Sequence, residues 1–209
     1  MGRLAGQIDQ AKTEAILEAA SSVMSERGLS ASMGEIARRA GVSKQTIYNH
    51  YGSKAALIAA MARRRATRHA APLEAPEAAE HPEEALASFA HSLLASVAAG
   101  ASTAFMRIVI QNALVMPDVA RAVFESGSMT TRRRLAEFLA REDREGHIEV
   151  PNPAQAAEFF AGMVIGSAQM AGLLGVGREP DEREIESTAR EAAHRFLQAY
   201  RPARGRKGR

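Results

Sequence analysis

Fourteen consecutive residues, "GVSKQTIYNHYGSK" at positions 41–54, hold the side chains of this 209-residue chain that are best suited to binding chemistry. Gln and Asn can pair bidentately with adenine, Lys can pair with guanine, and the methyl group of Thr can contact that of thymine. Phenol, imidazole and ammonium groups can bond to phosphate oxygens, which fixes register without reading sequence. The residues suited to bases are Lys44, Gln45, Thr46 and Asn49, and those suited to phosphate are Tyr48, His50 and Lys54.

Two short helices are predicted to position these side chains. Ser32 and Glu35 fit a capping box, which starts a helix that stops at Gly41. Ser43 caps a second helix that runs to about Tyr51. A short turn that contains glycine joins them, which is the helix-turn-helix arrangement, with the second helix presented outward. The apolar residues predicted to lock the two helices together are Ala37, Val42 and Ile47.

A small helical hairpin with a merely solvated polar helix is the alternative interpretation. Generic helix-turn-helix signals are weak, so these residues alone leave both interpretations open. The charge distribution favours binding: residues 1–70 hold 11 Lys and Arg against 5 Asp and Glu, whereas residues 71–200 hold 11 against 19. A basic first third on an acidic body is typical of a head that binds a polyanion.

The block at 9–69 resembles the amino-terminal domain of TetR-family transcriptional regulators over its full length and without a gap. Two positions depart from the usual pattern: Gln45 stands where the family has Gly or a small residue, and Tyr51 where it has Phe. Ser32 stands where the family usually has Thr and is counted with the matching residues. The residues that carry the resemblance are Ala19, Gly28, Ser32, Ile36, Ala37, Ala40, Gly41, Val42, Ser43, Thr46, Tyr48, His50, Lys54 and Leu57.

The resemblance implies an all-α fold. In this fold an N-terminal three-helix helix-turn-helix DNA-binding domain at 9–69, with the helix-turn-helix itself at 32–51, is joined by a fourth helix to a C-terminal helical domain. This second domain, at 83–200, would bind a ligand and form the dimer. A basic tail follows at 201–209, "RPARGRKGR". The tail could add non-specific DNA affinity or keep the chain soluble, and we favour solubility.

By the same resemblance, Ser32, Tyr48 and Lys54 contact phosphate, and residues 43–50 supply the base contacts, which adds Ser43 to the site. The family habit implies a repressor that binds double-stranded operator DNA as a homodimer. A small-molecule effector would release it.

Helical spacing and turn residues predict the elements. The segment 71–84 has three prolines and no periodicity, so it is predicted to be a linker. The predicted helices run over about 9–27, 33–40, 44–51, 54–70, 83–99, 102–115, 118–145 (with a break near Gly127), 153–175 and 181–200.

The uncharged stretch from Phe159 to Gly177 approaches the length of a membrane span. Ser167, Gln169 and several glycines make it a poor span, so a buried or interface helix is the better interpretation. We expect helices 153–175 and 181–200 to pair with their copies in a four-helix interface. The predicted interface residues are Phe159, Met163, Gly166, Met170 and Leu174.

An apolar effector is predicted to enter the middle helices, because the resemblance implies a ligand and Met and Phe suit an adaptable apolar wall. Met and Phe at helical spacing are also typical of a plain core, which stays the alternative. The predicted lining residues are Phe89, Leu93, Phe105, Met106, Val109, Phe124, Met129 and Met163, with His91 and Gln111 as polar anchors.

Catalytic and metal sites find little support in the sequence. The chain has no cysteine, which excludes disulfides and thiol chemistry and suits a reducing cytoplasm. The start, "MGRLAGQIDQ", has no apolar run typical of a signal peptide, so a cytoplasmic location is expected. Glu191 and His194 share a helix face, but di-iron bundles use that motif twice and here it occurs once. We therefore expect no catalytic residue, metal or cofactor, with a helical enzyme and a plain interaction module as alternatives.

Overall fold

The computed structural model describes residues 5–176 and 178–202, with side-chain surroundings from residue 10 onward. Within those residues the chain is all-α and has no strand, as the sequence predicts. The predicted basic tail falls outside the described residues from position 203. The helices are α1 (Ala5–Arg27), α2 (Met33–Arg39), α3 (Lys44–Tyr51), α4 (Lys54–Glu74), α5 (Pro82–Ala98), α6 (Gly100–Gln111), α7 (Pro117–Val123), α8 (Thr130–Arg144), α9 (Pro153–Ile165), α10 (Ala168–Leu174) and α11 (Glu182–Ala199).

The chain forms two compact units. The first unit contains the residues up to Arg64 together with Ala104–Gly127, and the second contains Arg65–Thr103 together with the residues from Ser128 onward. The boundaries fall within α4, within α6 and in the turn between α7 and α8, so each unit is discontinuous in sequence.

The first unit is built around the apolar faces of α1 to α4. Side chains that recur at helical spacing meet in one core, which gives the two short helices, α2 and α3, the burial that they lack alone. The largest fully buried members of this core are Ile16, Met24, Ile36, Ile47, Leu57 and Ile58.

Gly28 ends α1, as the sequence predicts. Its φ of 59° lies in the left-handed region that favours glycine. A Cβ atom at this position would lie 2.9 Å from Ile108 Cδ1, so the site also lacks room for a side chain. A short 3-10 turn, Gly28–Ser30, then leads to α2.

The second unit has its own core, in which α5 packs against α11 and α8 packs against α9. Three phenylalanines stack through its centre. The ring of Phe160 lies 6.2 Å from that of Phe89 and 4.9 Å from that of Phe196, the latter in an edge-on arrangement. Leu86, Leu135 and Leu139 are fully buried in the same core.

The predicted linker at 71–84 is shorter in the structure. Helix α4 continues through Pro72 to Glu74, with Ala70 buried and Leu73 buried in the core of the second unit. A 3-10 turn, Pro76–Ala79, and the start of α5 at Pro82 occupy the rest. Pro76 and Pro82 stand in the first turn of their elements, where the missing N–H has no helical partner to lose, so these prolines begin elements instead of marking a linker.

The helix predicted at 153–175 is two helices in the structure. Gly166 adopts a φ of 48° and ends α9, and α10 begins at Ala168 with a bend of 56°. The helix predicted at 118–145 is interrupted at the expected place by a π-helical turn, Phe124–Met129. No single helix in the described chain is long and apolar enough to cross a membrane; two bent pairs, α5 with α6 and α9 with α10, meet that threshold only when taken together.

Candidate nucleic-acid interface

Helix α3 presents a polar face around one buried anchor. Ile47 is fully buried, and Ala37 and Val42 pack against the same core. The backbone N–H of Val42 donates to the Ala37 carbonyl over 3.0 Å, so the turn at Gly41 is closed by a hydrogen bond. Thr46 is partly buried, and the exposed residues of the helix are Lys44, Gln45, Tyr48, Asn49 and His50.

The first turn of α3 is capped as predicted. Ser43 Oγ accepts from the backbone N–H of Thr46 over 3.0 Å. The two hydroxyl oxygens also lie 2.8 Å apart and share a hydrogen bond. Ser43 and Thr46 therefore hold each other in place. A contact with a base would have to use the hydrogen-bond donors and acceptors that remain free on the two hydroxyl groups.

Two of the candidate base readers bond to one another. Gln45 Nε2 donates to Asn49 Oδ1 over 2.7 Å across one turn of the helix. This bond leaves the Gln45 carbonyl oxygen, one of its N–H groups and the Asn49 amide N–H groups for a ligand. Bidentate pairing with adenine needs one donor and one acceptor on one amide, and Gln45 retains both.

Tyr48 and Lys44 form the edge of the same face. Tyr48 is 40% exposed although its ring is large. The Lys44 ammonium lies 5.8 Å from the centre of that ring, within the range of a cation–π contact. The contact places a positive charge near the Tyr48 ring, and an ammonium and a phenol on one face together suit phosphate oxygens.

Lys54 has a partner within the chain that the sequence did not reveal. Its ammonium donates to the Leu29 carbonyl over 2.8 Å. Burial lowers the pKa of Lys54, and the Glu35 carboxylate offsets part of that shift. An ammonium has three donors, so two remain for a phosphate while the third fixes the side chain.

Ser32 forms the predicted capping box at the start of α2. Its Oγ accepts from the Glu35 N–H over 3.2 Å, and its own N–H donates to Glu35 Oε2 over 2.9 Å. The hydrogen bond from the backbone of Ser32 lowers the pKa of Glu35 most, and the bond with the Ser32 side chain lowers it further. Arg27, which forms an ion pair with Glu35, adds to that shift. Because Ser32 uses its oxygen as an acceptor, its O–H remains able to donate to phosphate.

Gly34 lies next to Ser32 and Lys44, and the sequence motif did not identify it. A Cβ atom there would lie 3.9 Å from Ser32 Oγ and 4.0 Å from Lys44 Cδ. The bare backbone therefore lies between a cap residue of α2 and the first residue of α3. A glycine at the second position of a short helix was the available signal, because glycine is otherwise unfavourable in a helix.

The comparisons with known proteins agree with this geometry. A family profile described as bacterial regulatory proteins, tetR family, matches residues 16–61. A second profile, described as the C-terminal domain of AefR-like transcriptional repressors, matches residues 84–202, more than half of the chain. The chain belongs to the TetR family.

Solved structures of TetR-family proteins share the fold over nearly the whole chain. The flavonoid-responsive regulator FrrA is 32% identical, covers 91% of this chain and 97% of its own, and gives a TM-score of 0.67. A protein from Mesorhizobium loti MAFF303099, described as a TetR-family transcriptional regulator, is 26% identical with the same coverage and a TM-score of 0.72. A TetR regulator from Agrobacterium tumefaciens is 25% identical, covers 91% of this chain and 94% of its own, and gives 0.69.

A search of curated proteins gives no match. The family and its solved members are transcriptional regulators and not enzymes, which removes the helical-enzyme alternative. As a TetR-family member the chain is a DNA-binding transcriptional regulator. Which of its residues contact DNA stays a prediction.

The predicted effector residues of this TetR-family chain are divided equally between the two units. Phe105, Met106, Val109, Gln111 and Phe124 belong to the first, and Phe89, His91, Leu93, Met129 and Met163 belong to the second. Phe89 and Val109 are buried in the chain itself. The anchor His91 already has a partner, because its Nε2 lies 2.7 Å from Glu182 Oε1. The effector site stays a prediction.

The predicted dimer residues lie on the surface of the second unit. Phe159, Met163, Met170 and Leu174 are between 46% and 68% exposed. Gly166 is exposed too, but its positive φ shows that it ends a helix and would strain any side chain. A substitution of Gly166 would therefore confuse strain with interface loss.

Glu191 and His194 do not form a site together in the structure. Glu191 accepts from Arg195 over 2.6 Å. His194 lies 3.1 Å from Glu83 and 2.8 Å from Gln198. Both residues are exposed, in line with the predicted surface placement.

Proposed function

We propose that this TetR-family regulator represses transcription by binding a near-palindromic operator as a homodimer, and that a small, largely apolar effector releases it. The observation that carries the proposal is the face of α3, where one buried residue, Ile47, holds a row of exposed amide, ammonium and phenol groups. A helix of this kind enters the major groove with its N-terminal part.

The proposed roles divide into positioning and reading. Ser32, Tyr48, His50 and Lys54 contact phosphate, because their donors lie at the margins of the polar face and three of them are held by partners within the chain. Lys44, Gln45, Thr46 and Asn49 read bases, and Ser43 fixes the first turn from which they project. Gln45 is the strongest candidate because it keeps both a donor and an acceptor after its bond to Asn49.

Dimerisation is proposed because one recognition helix reads too few base pairs for specificity. The apolar face of α9 and α10 supports it. Four large side chains of this face are exposed in the single chain, and such a patch is costly in water unless another surface covers it. A second copy would cover it symmetrically, with α11 as the neighbouring helix.

An effector is proposed from the family and from one solved relative. FrrA is described as flavonoid-responsive, so flavonoids are the first class of largely apolar compound to test. The effector needs only to prefer a conformation with lower operator affinity. A coupling free energy of about 1–3 kcal/mol would lower that affinity roughly 5–150-fold.

Selection from a randomised duplex library tests the proposal. We expect enrichment of a motif with two half-sites related by two-fold symmetry, about one helical turn or a multiple apart. Binding to the selected duplex should fall steeply with salt concentration, because phosphate contacts release counterions. An enriched single half-site, or no enrichment, would contradict dimeric operator binding.

Two variants separate the proposed roles. Tyr48→Ala should weaken binding to the selected and the random duplex equally, because phosphate contacts carry no sequence information. Lys54→Met, which keeps the length of the side chain but removes the charge, should do the same and reduce the salt slope by about one. A loss confined to the selected duplex would assign these residues to base reading instead.

A further inference from the structure

The C-terminal end of α8 holds a buried carboxylate with an oxygen left over. The side chain of Glu142 is fully buried, and its Oε2 lies 2.8 Å from His147 Nδ1. Its Oε1 forms no hydrogen bond with any described residue. Arg141 Nε lies 3.5 Å from this oxygen, close enough for an ion pair but without the geometry of a hydrogen bond. A buried carboxylate oxygen that accepts no hydrogen bond is unfavourable, so Glu142 keeps an unused acceptor that could hold a further cation.

A third donor lies beside this pair. Glu145 Oε2 is 3.7 Å from His147 Nδ1. One ligand atom from each of Glu142, Glu145 and His147 lies within 4.8 Å of the other two. Among the residues that the structure describes, no other group of three such side chains comes this close.

The backbone fixes the turn that brings these residues together. The N–H of His147 donates to the Glu142 carbonyl over 3.0 Å, and that of Gly146 donates to the Asp143 carbonyl. Asp143 Oδ1 accepts from the N–H of Val150 over 2.7 Å. Ile148 and Val150 are buried in the core of the second unit, so the turn cannot move freely. The turn that carries Glu145 and His147 is thus held by α8 before it and by the buried Ile148 and Val150 after it.

We propose that Glu142, Glu145 and His147 bind a divalent transition-metal ion, with Zn²⁺ as the preferred ion. One imidazole nitrogen and two carboxylate oxygens form a ligand set that Zn²⁺ accepts at about 2.0–2.2 Å, with water in the remaining position. Ligand atoms at these distances from a tetrahedral ion lie roughly 3.3–3.6 Å from one another. Glu145 and His147, with side chains 43% and 44% exposed, have room to close the small remaining gap. The ion would give the buried carboxylate of Glu142 a further positive partner beside Arg141.

Two other His–Glu pairs of the second unit show why an ion pair alone does not explain this cluster. His194 pairs with Glu83 at 3.1 Å and His91 with Glu182 at 2.7 Å. Both carboxylates are more than half exposed, so water satisfies the oxygen that the histidine does not. Glu142 has no such water-facing oxygen, because its side chain is fully buried. The metal would stabilise the end of α8 by joining it to the turn.

The test uses the full-length, untagged protein, freed of metal by a chelator and titrated with ZnCl₂ by isothermal calorimetry. We expect one equivalent of Zn²⁺ per chain and a rise in the thermal midpoint, because an ion that binds the folded state stabilises it. MgCl₂ should bind far more weakly, since Mg²⁺ prefers oxygen ligands in octahedral geometry. His147→Ala and Glu145→Gln should each lower the Zn²⁺ affinity more than about tenfold. His194→Ala, which removes an exposed histidine with a carboxylate partner, should leave it unchanged.

Several outcomes would overturn the site. These are no Zn²⁺ binding by the wild-type chain, equal binding of Mg²⁺, or wild-type affinity in either Glu145→Gln or His147→Ala. Glu142→Gln is the most direct variant, but its buried position affects folding as well. Glu145 is exposed, so Glu145→Gln keeps its fold and carries the decision.

Discussion

Two surfaces of the molecule, the face of α3 and the face of α9 with α10, are exposed for opposite reasons. Helix α3 buries Ile47 and turns its polar residues to water. Helix α9 buries Phe160 and Val164 yet leaves Phe159 and Met163 exposed on its other side. A polar face is well solvated in the absence of DNA, whereas exposure of an apolar face of this size to water is unfavourable unless another surface covers it. This difference is what the proposed roles require, with DNA as a reversible ligand of the first surface and a second copy of the chain as a lasting partner of the second.

Met170→Glu should break this comparison most strongly. The side chain is 60% exposed in the single chain, so the change leaves the fold intact but puts a charge into the proposed dimer interface. We expect monomers in sedimentation experiments and a fall in operator affinity of roughly 10²–10⁴-fold, because the second half-site is no longer linked to the first. Gln169→Glu adds the same charge at the neighbouring exposed position and is the control. An intact Met170→Glu dimer would remove α10 from the interface.

Ile47→Ala tests what lies beneath the polar face. Removing a fully buried side chain should destabilise the first unit by about 2–5 kcal/mol and abolish DNA binding with it. Chemical denaturation followed by circular dichroism measures the loss. Gln45→Ala, on the exposed side of the same helix, should stay within about 0.5 kcal/mol of the wild type. Equal stability of the two variants would mean that Ile47 does not anchor α3.

A buried histidine makes the stability of the second unit depend on pH. His69 is 8% exposed, and its Nδ1 lies 2.8 Å from Ser92 Oγ. Burial, with Arg65 and Arg68 nearby, lowers its pKa from 6.5 to about 4. The unfolded chain therefore binds a proton from about pH 6.5 downward, whereas the folded chain does so only near pH 4. Stability should fall across that window by up to about 3 kcal/mol.

Thermal unfolding of the wild type and of His69→Gln between pH 7 and pH 4.5 checks this. The difference between the two pH slopes isolates His69 from the other titrating groups. The variant should lose less stability on acidification. Parallel curves would contradict a neutral, buried His69 in the folded state.

Gln45→Ala tests the polar face of α3, and its expected effect on binding is the smallest of these predictions. Operator affinity should fall by about 1–3 kcal/mol at one or two base positions, while affinity for random duplexes stays the same. Fluorescence anisotropy on the selected duplex and its single-base variants measures the pattern. If specific and random DNA were weakened equally, Gln45 would not be a base reader.

Features fixed by neighbouring residues were predictable from the sequence. Both hydrogen bonds of the Ser32–Glu35 capping box occur as predicted, and Gly28 and Ser43 mark helix ends where expected. Each depends on a conformation within three or four residues, which the local sequence determines. For the same reason the exposed row on α3 was predictable once Ile47 was placed in the core.

Features that depend on distant partners were not predictable. Leu73 extends α4 because the core of the second unit covers it, which no property of 71–84 reveals. Lys54 donates to the carbonyl of Leu29, 25 residues away in the chain. Glu142 and His147 meet only because α8 ends between them, so they fit neither helical nor strand spacing.

The hydrogen bond between Gln45 and Asn49 has a consequence for how an operator is read. This 2.7 Å bond fixes the orientation of each amide relative to the other, so a base that turns one of them changes the donors and acceptors that the other offers. Groups that share a partner do not contribute additively. The base preferences at the two corresponding operator positions should therefore be statistically coupled. A scoring matrix that treats each position independently would misjudge some operators, and pairs of bases would have to be scored together.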